Sequence, residues 1–147
     1  MKKGKKCWSC GGAMARKSVN QTVAVGDRKV QDGSAMIDVC SKCGEYELSQ
    51  KQLEVLERRA VAVVLNDAQH VGGSVLRFAR KALGLKQSEL ARALDIDEAT
   101  VSRFENGKSQ ISRETQLAVA HLLALSEQDP GALRRLFEAP VPLSANG

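Results

Sequence analysis

Aromatic residues are scarce in this chain. One Trp, one Tyr and three Phe make up 3% of its 147 residues. A single large core normally holds more, so the deficit predicts two small cores, at least one supported by something besides apolar burial. Long hydrophobic runs are missing too. No stretch reaches eighteen apolar residues, which excludes a membrane-spanning helix. The opening MKKGKK carries the charge of a secretory leader, but CWSCGGAMARKS follows where the apolar segment would stand, so we expect a cytoplasmic protein. Cysteine is absent beyond position 43, and in a reducing compartment an early set of four favours a metal over disulfides. No nucleophile–base pair emerges either, so the chain is not read as an enzyme.

What is present is unevenly distributed. The net charge is +5, which fits an anionic partner. Residues 1–47 hold nine Lys and Arg against five Asp and Glu, whereas 75–147 hold ten against nine. Any basic surface on the second half must therefore come from placement.

The cysteines form two CxxCG units, Cys7 and Cys10 in CWSCG and Cys40 and Cys43 in CSKCG. Two intervening residues let both thiolates of a unit reach one ion, and the glycine lets the backbone turn its amides towards the sulfurs. Four soft thiolates in a tetrahedron suit Zn²⁺. Four protein ligands leave no position for water, so the expected zinc is structural. A rubredoxin-like iron site uses much the same spacing, but it goes with an acidic, aromatic-rich segment, and this one is basic with only Trp8 and Tyr46. His70 and His121 stand alone and read as ordinary surface or packing residues.

Between the cysteine pairs, 21–25, 28–30 and 35–39 read as short strands broken by hairpin turns at Gly26-Asp27 and Asp32-Gly33. From Ser49 the texture becomes helical. Ser49 with Gln52 forms a capping box, and Leu53, Leu56, Ala60, Val63 and Val64 recur at helical spacing to about Asn66. Gly72-Gly73 makes a joint, with Ser74 a possible cap. Helices are then predicted over 75–83, 87–94, 98–105, 112–125 and 130–138.

The segment KQSELARALDIDEATVSRFENGK reads as helix, turn, helix. Leu90, Leu94, Ile96, Val101 and Phe104 turn inward, and Asp97 stands where it can cap the second helix. Glu98, Ala99, Ser102 and Arg103, with Thr100 partly outward, remain as a narrow ridge of short side chains with one long arginine. Such a ridge fits a major groove.

With Gln87, Ala91, Ile96, Val101 and Glu105-Asn106-Gly107-Lys108 in place, residues 75 to about 125 resemble the helix-turn-helix of the phage repressor/Cro (XRE) family. Joined to the paired CxxC units, the chain further resembles the MqsA-type antitoxins. These resemblances imply an α+β protein. Its expected layout is a small β-rich zinc-binding domain (1–48), a connecting helix and linker (49–73), an all-α five-helix DNA-binding and dimerisation domain (74–138) and a disordered tail (139–147). They also imply that Gln87, Asn106, Lys108 and Arg113 bind phosphates, which set register and not sequence. Arg103 would read a base edge. Thr100 and Ser102 would reach thymine methyls or nearby phosphates, and Glu98 either accepts from cytosine or favours the helix dipole. Lys86 stands where the family has a Ser or Thr cap, and Ala99 where these antitoxins carry a polar reader, so no operator sequence carries over.

Such readers act as two-fold dimers on palindromic double-stranded DNA. The surplus apolar positions of 112–125 and 130–138 are the expected homodimer contact. The resemblance adds a toxin protein, typically a ribonuclease, held by the zinc head. The alternative is a stand-alone XRE-type regulator whose zinc ribbon is only structural.

Overall fold

Alternating side chains on either side of Gly26-Asp27 make one long hairpin, β1 (Met14–Val25) and β2 (Arg28–Cys40), in the computed structural model, which describes residues 4–138. Gly26 takes a left-handed φ of 59° at the tip, a conformation other residues adopt at a cost. Two hairpins were expected here, and one is found. Asp32-Gly33 is not a turn but a bulge within β2, where Gly33 and Ser34 together lie opposite Asn20. The Asp32 carboxylate accepts from the Ser34 amide at 2.9 Å and from Arg59 at 2.9 Å, which holds the bulge against the next helix. A two-residue β3 (Tyr46–Glu47) pairs with Val39 and Asp38, completing a sheet of order β1-β2-β3.

Helix α1 (Gln50–Asp67) starts at the predicted capping box. The Ser49 hydroxyl accepts from the Gln52 amide, and the Gln52 side chain accepts from the Ser49 amide. Five more helices follow: α2 (Gly73–Ala82), α3 (Gln87–Leu94), α4 (Glu98–Glu105), α5 (Arg113–Gln128) and α6 (Ala132–Glu138). The architecture is α+β, as expected. Ser74 does not cap α2. The N-cap is Gly72, and the Ser74 hydroxyl instead donates to Asp27 at the hairpin tip.

The two cores predicted from the aromatic deficit are not separate. Val23, Val25 and Ala35 of the hairpin join Leu56, Val61, Val64 and Leu65 of α1, Val75 and Leu76 of α2, and Leu90, Val101, Val119 and Leu123 of the following helices in one apolar cluster. The physical reason is α1, whose buried positions face the sheet on one side and α5 on the other. Aliphatic residues thus supply the continuity that aromatics would otherwise give. The tail over 139–147, expected to be disordered, lies outside the described residues.

The C-terminal end of α1 leaves carbonyls with no partner in their own helix and no basic residue in its last turn. Residues of α5 serve it instead. Arg113 donates to the carbonyls of Leu65 (3.2 Å), Asn66 (2.8 Å) and Ala68 (2.6 Å), and buried Gln116 donates to Leu65 and Ala68. Arg113, expected at a phosphate, is exposed and makes these bonds in this structure. Its guanidinium is engaged in joining α1 to α5.

Candidate metal centre and nucleic-acid interface

The hairpin brings its two ends together so that all four cysteine sulfurs lie within 4.8 Å of one another. Cys7 Sγ and Cys43 Sγ are 3.7 Å apart, and Cys10 Sγ and Cys40 Sγ 3.4 Å. A tetrahedron with metal–sulfur bonds of about 2.3 Å has edges of about 3.8 Å. The spacing therefore fits a tetrahedral ion and is far too long for disulfides, and all four thiols are free. Gly11 and Gly44, which end the two CxxCG units, have φ of 75° and 79°. Each donates its amide to the carbonyl of the unit's first cysteine, Gly11 to Cys7 at 2.9 Å and Gly44 to Cys40 at 3.1 Å. Further amides face the sulfurs: Gly12 on Cys10, and Lys42 and Cys43 on Cys40. Those of Cys43 and Lys42 lower the Cys40 thiol to about 6, stabilising its thiolate. On Cys43 the Glu45 amide acts downward, but the thiol of Cys10, burial and the other two cysteines prevail and push it up to about 12.

The second candidate site lies at the opposite end of the chain. Helix α3 ends at Asp95 in the left-handed region (φ 55°), with the Ile96 amide returning to the Ala91 carbonyl, and the chain then re-enters helix at Glu98. Asp97 occupies the N-cap of α4, although its side chain makes no capping bond. Lys86 occupies the N-cap of α3 without a side-chain capping bond, and the Glu89 carboxylate accepts its backbone amide at 2.9 Å.

On α4, Val101 is buried, whereas Glu98, Ala99 and Arg103 are exposed and Thr100 and Ser102 half-exposed. The ridge expected from the sequence is therefore on the surface. Arg103 donates to the Thr100 hydroxyl at 3.0 Å, and among the described residues no carboxylate forms an ion pair with it. Asn106 and Lys108 are exposed in the loop after α4, with Gly107 at φ 71° making the sharp turn. Gln87 is half-buried at the start of α3.

Phe104 is only partly buried, and the residue after it carries more of the packing than the sequence indicated. The Glu105 carboxylate is completely buried. Arg80 grips it with two bonds of 2.7 and 2.9 Å, and Arg77 adds one of 3.3 Å while also reaching Asn106 at 3.5 Å. Burial pushes the Glu105 carboxyl up, but the hydrogen bonds from Arg80, Gln87 and Arg77 and the charge of Arg80 hold it below the ordinary glutamate range. Gly73 completes this support. A Cβ there would overlap the backbone carbonyls of Phe104 and Glu105, so only glycine lets α2 start against the end of α4. The spacing of Arg80 from Glu105, 25 residues, left no local signal of this contact.

Of the apolar residues expected to pair two copies, Val119, Leu122, Leu123 and Leu133 are buried within the chain. Leu125 and Phe137 are half-buried, and Leu117 and Leu136 are exposed. His70 and His121 are exposed.

Residues 76–129, from the first turn of α2 to the end of α5, match the model of a helix-turn-helix family of DNA-binding transcription regulators. No curated protein matches the chain. No helix among the described residues is long and apolar enough to cross a membrane.

Proposed function

We propose that this protein is a sequence-specific DNA-binding transcriptional repressor that works as a homodimer on a palindromic operator in the cytoplasm. The observation that carries the reading is the exposed α4 ridge, where short side chains surround an Arg103 that pairs with no acid among the described residues. A short ridge lets the helix approach base edges, and a guanidinium held only by the Thr100 hydroxyl can turn to bond a guanine edge at two points, worth about 1–3 kcal/mol of discrimination. Glu98, Ala99, Thr100 and Ser102 line the same groove. Gln87, Asn106 and Lys108 hold the phosphate walls and set register.

In this reading the four cysteines hold a structural Zn²⁺. The ion supplies no chemistry beyond cross-linking the ends of the hairpin, and Cys7, Cys10, Cys40 and Cys43 are its ligands.

The finer assignment is an antitoxin that neutralises a ribonuclease toxin and represses its own operon. It draws on the likeness of the paired CxxCG units and helix-turn-helix to MqsA-type antitoxins, and on a groove between β2 and α1. That groove has Ile37, Met36, Leu48 and Leu56 within it and Arg16 and Lys51 among its lining residues. Co-expression with the product of an adjoining small reading frame tests this part. Rescue from lethality supports it, and absence of such a frame leaves the stand-alone regulator.

For DNA reading, Arg103→Ala is expected to relax base preference at one position of each half-site in a binding selection. Lys108→Ala is expected to weaken all sequences alike and reduce the salt slope by about one. Identical behaviour of the two variants refutes the assignment of roles.

A further inference from the structure

The hairpin that carries the cysteines at one end places its other end beside the helix-turn-helix. Its tip is anchored by three contacts. Gly26 sits so close to Ser74 that an added Cβ would lie 2.7 Å from backbone and hydroxyl atoms of that residue. The Ser74 hydroxyl donates to the Asp27 carboxylate at 3.1 Å, and Arg28 donates to the His70 carbonyl at 2.8 Å. His70 Nδ1 lies 3.4 Å from the side-chain nitrogen of Gln110. Gln110 belongs to the loop between α4 and α5, which also carries Asn106 and Lys108. The tip is therefore one side chain removed from the loop assigned to phosphate contact.

Arg28, His70 and Gln110 follow one another in these contacts, and Lys29 and Lys108, near them in sequence, are exposed as they are. Asp27 is turned to Ser74, and among the described residues neither Lys29 nor Lys108 has a carboxylate within ion-pair distance. The Arg113 guanidinium bonds the carbonyls of α1. We infer that the β1–β2 tip is a second DNA-contacting element, in which Lys29 binds the phosphate backbone adjoining the stretch held by Lys108. This rests on the DNA-binding reading above. The cysteine-bearing half then takes part in operator binding directly, through its far end, with no base-specific role.

Phosphate contacts are independent of sequence, so a mixed-sequence duplex of about three helical turns serves as the probe. Binding of the full chain is measured by fluorescence anisotropy across a salt series. The unaltered protein is expected to bind with a steep salt dependence. Lys29→Ala should weaken binding several-fold and lower the slope of log affinity against log salt by about one, and Lys29→Glu should weaken it further. Lys17→Ala, which removes the same charge from an exposed position of β1 towards the cysteine end of the hairpin, should leave the slope unchanged. Circular dichroism melts show whether each variant is folded.

Equal slopes for Lys29→Ala and the unaltered protein overturn the inference while leaving helix-turn-helix binding intact. Equal losses for Lys29→Ala and Lys17→Ala overturn it as well, since general charge would then explain both. If the unaltered protein binds no duplex, the DNA-binding reading itself fails, and the tip assignment falls with it.

Discussion

Replacing Arg80 with alanine tests the claim that a buried ion pair sets the recognition helix. The substitution removes the two short bonds on the Glu105 carboxylate, at 2.7 and 2.9 Å, and leaves only the longer one from Arg77. The carboxylate has no exposed surface, and the Arg80 side chain is 14% exposed, so water replaces little of what is lost. Breaking a buried pair on one side costs about 3–5 kcal/mol. Loss of the Arg80 bond to the Leu85 carbonyl at 3.0 Å adds about 1 kcal/mol. For a chain of this size the sum lowers Tm by roughly 10 °C or more.

Urea unfolding followed by circular dichroism measures the cost as a shift in midpoint at constant slope. The double replacement Arg80→Met with Glu105→Leu should cost less than Arg80→Ala alone, because it leaves no buried charge unmatched. The pH dependence carries a sign. Glu105 has a folded pKa below its unfolded value of about 4.3, so its contribution is fully present above that value. It is lost as pH falls through the folded pKa, and Arg80→Ala should flatten this acid limb. A cost under about 1 kcal/mol, or an acid limb unchanged by the variant, refutes the pair as the support of α4.

Three further outcomes are expected. Gly73→Ala should be severely destabilising, by about 3 kcal/mol in the same urea assay, because its Cβ meets carbonyl backbone at the end of α4 that cannot move aside. Elemental analysis should find about one zinc per chain in a colourless protein, and visible absorption from iron would contradict that assignment. Chelation should disorder the stretch around the two CxxCG units and change the emission of Trp8, the one tryptophan and a 71% exposed residue beside Cys7. Amides of Val25 and Ala35 should keep their protection from hydrogen exchange, since their side chains are held by the helical core and not by the sulfurs alone.

Local chemistry was readable where short-range rules apply. The capping box at Ser49, the order of the six helices and the cysteine pairing all follow from residues close in sequence, and so does the exposed ridge of α4. Asp32-Gly33 misled because the same dipeptide suits a turn and a bulge, and only pairing across the sheet, with Asn20 opposite, decides between them. Arg113 had the right position for a phosphate contact in an isolated helix-turn-helix, but α1 presents unpaired carbonyls to it over a separation of 45 to 48 residues. The burial of Glu105 had no local signal because Arg80 and Arg77 approach it from another element. Each of these depends on long-range contacts that periodicity does not encode.

The placement of α1 between the sheet and α5 has a consequence for how the molecule can be taken apart. A cut near residue 48 would strip the hairpin from Leu56, Val61 and Val64 and leave an oily stripe on the remaining helices. Excised helices should clump or borrow a neighbour's surface, and an excised hairpin should be little more than two strands tied by an ion. A change that unseats the hairpin from α1 is thereby felt in the helix-turn-helix half as well.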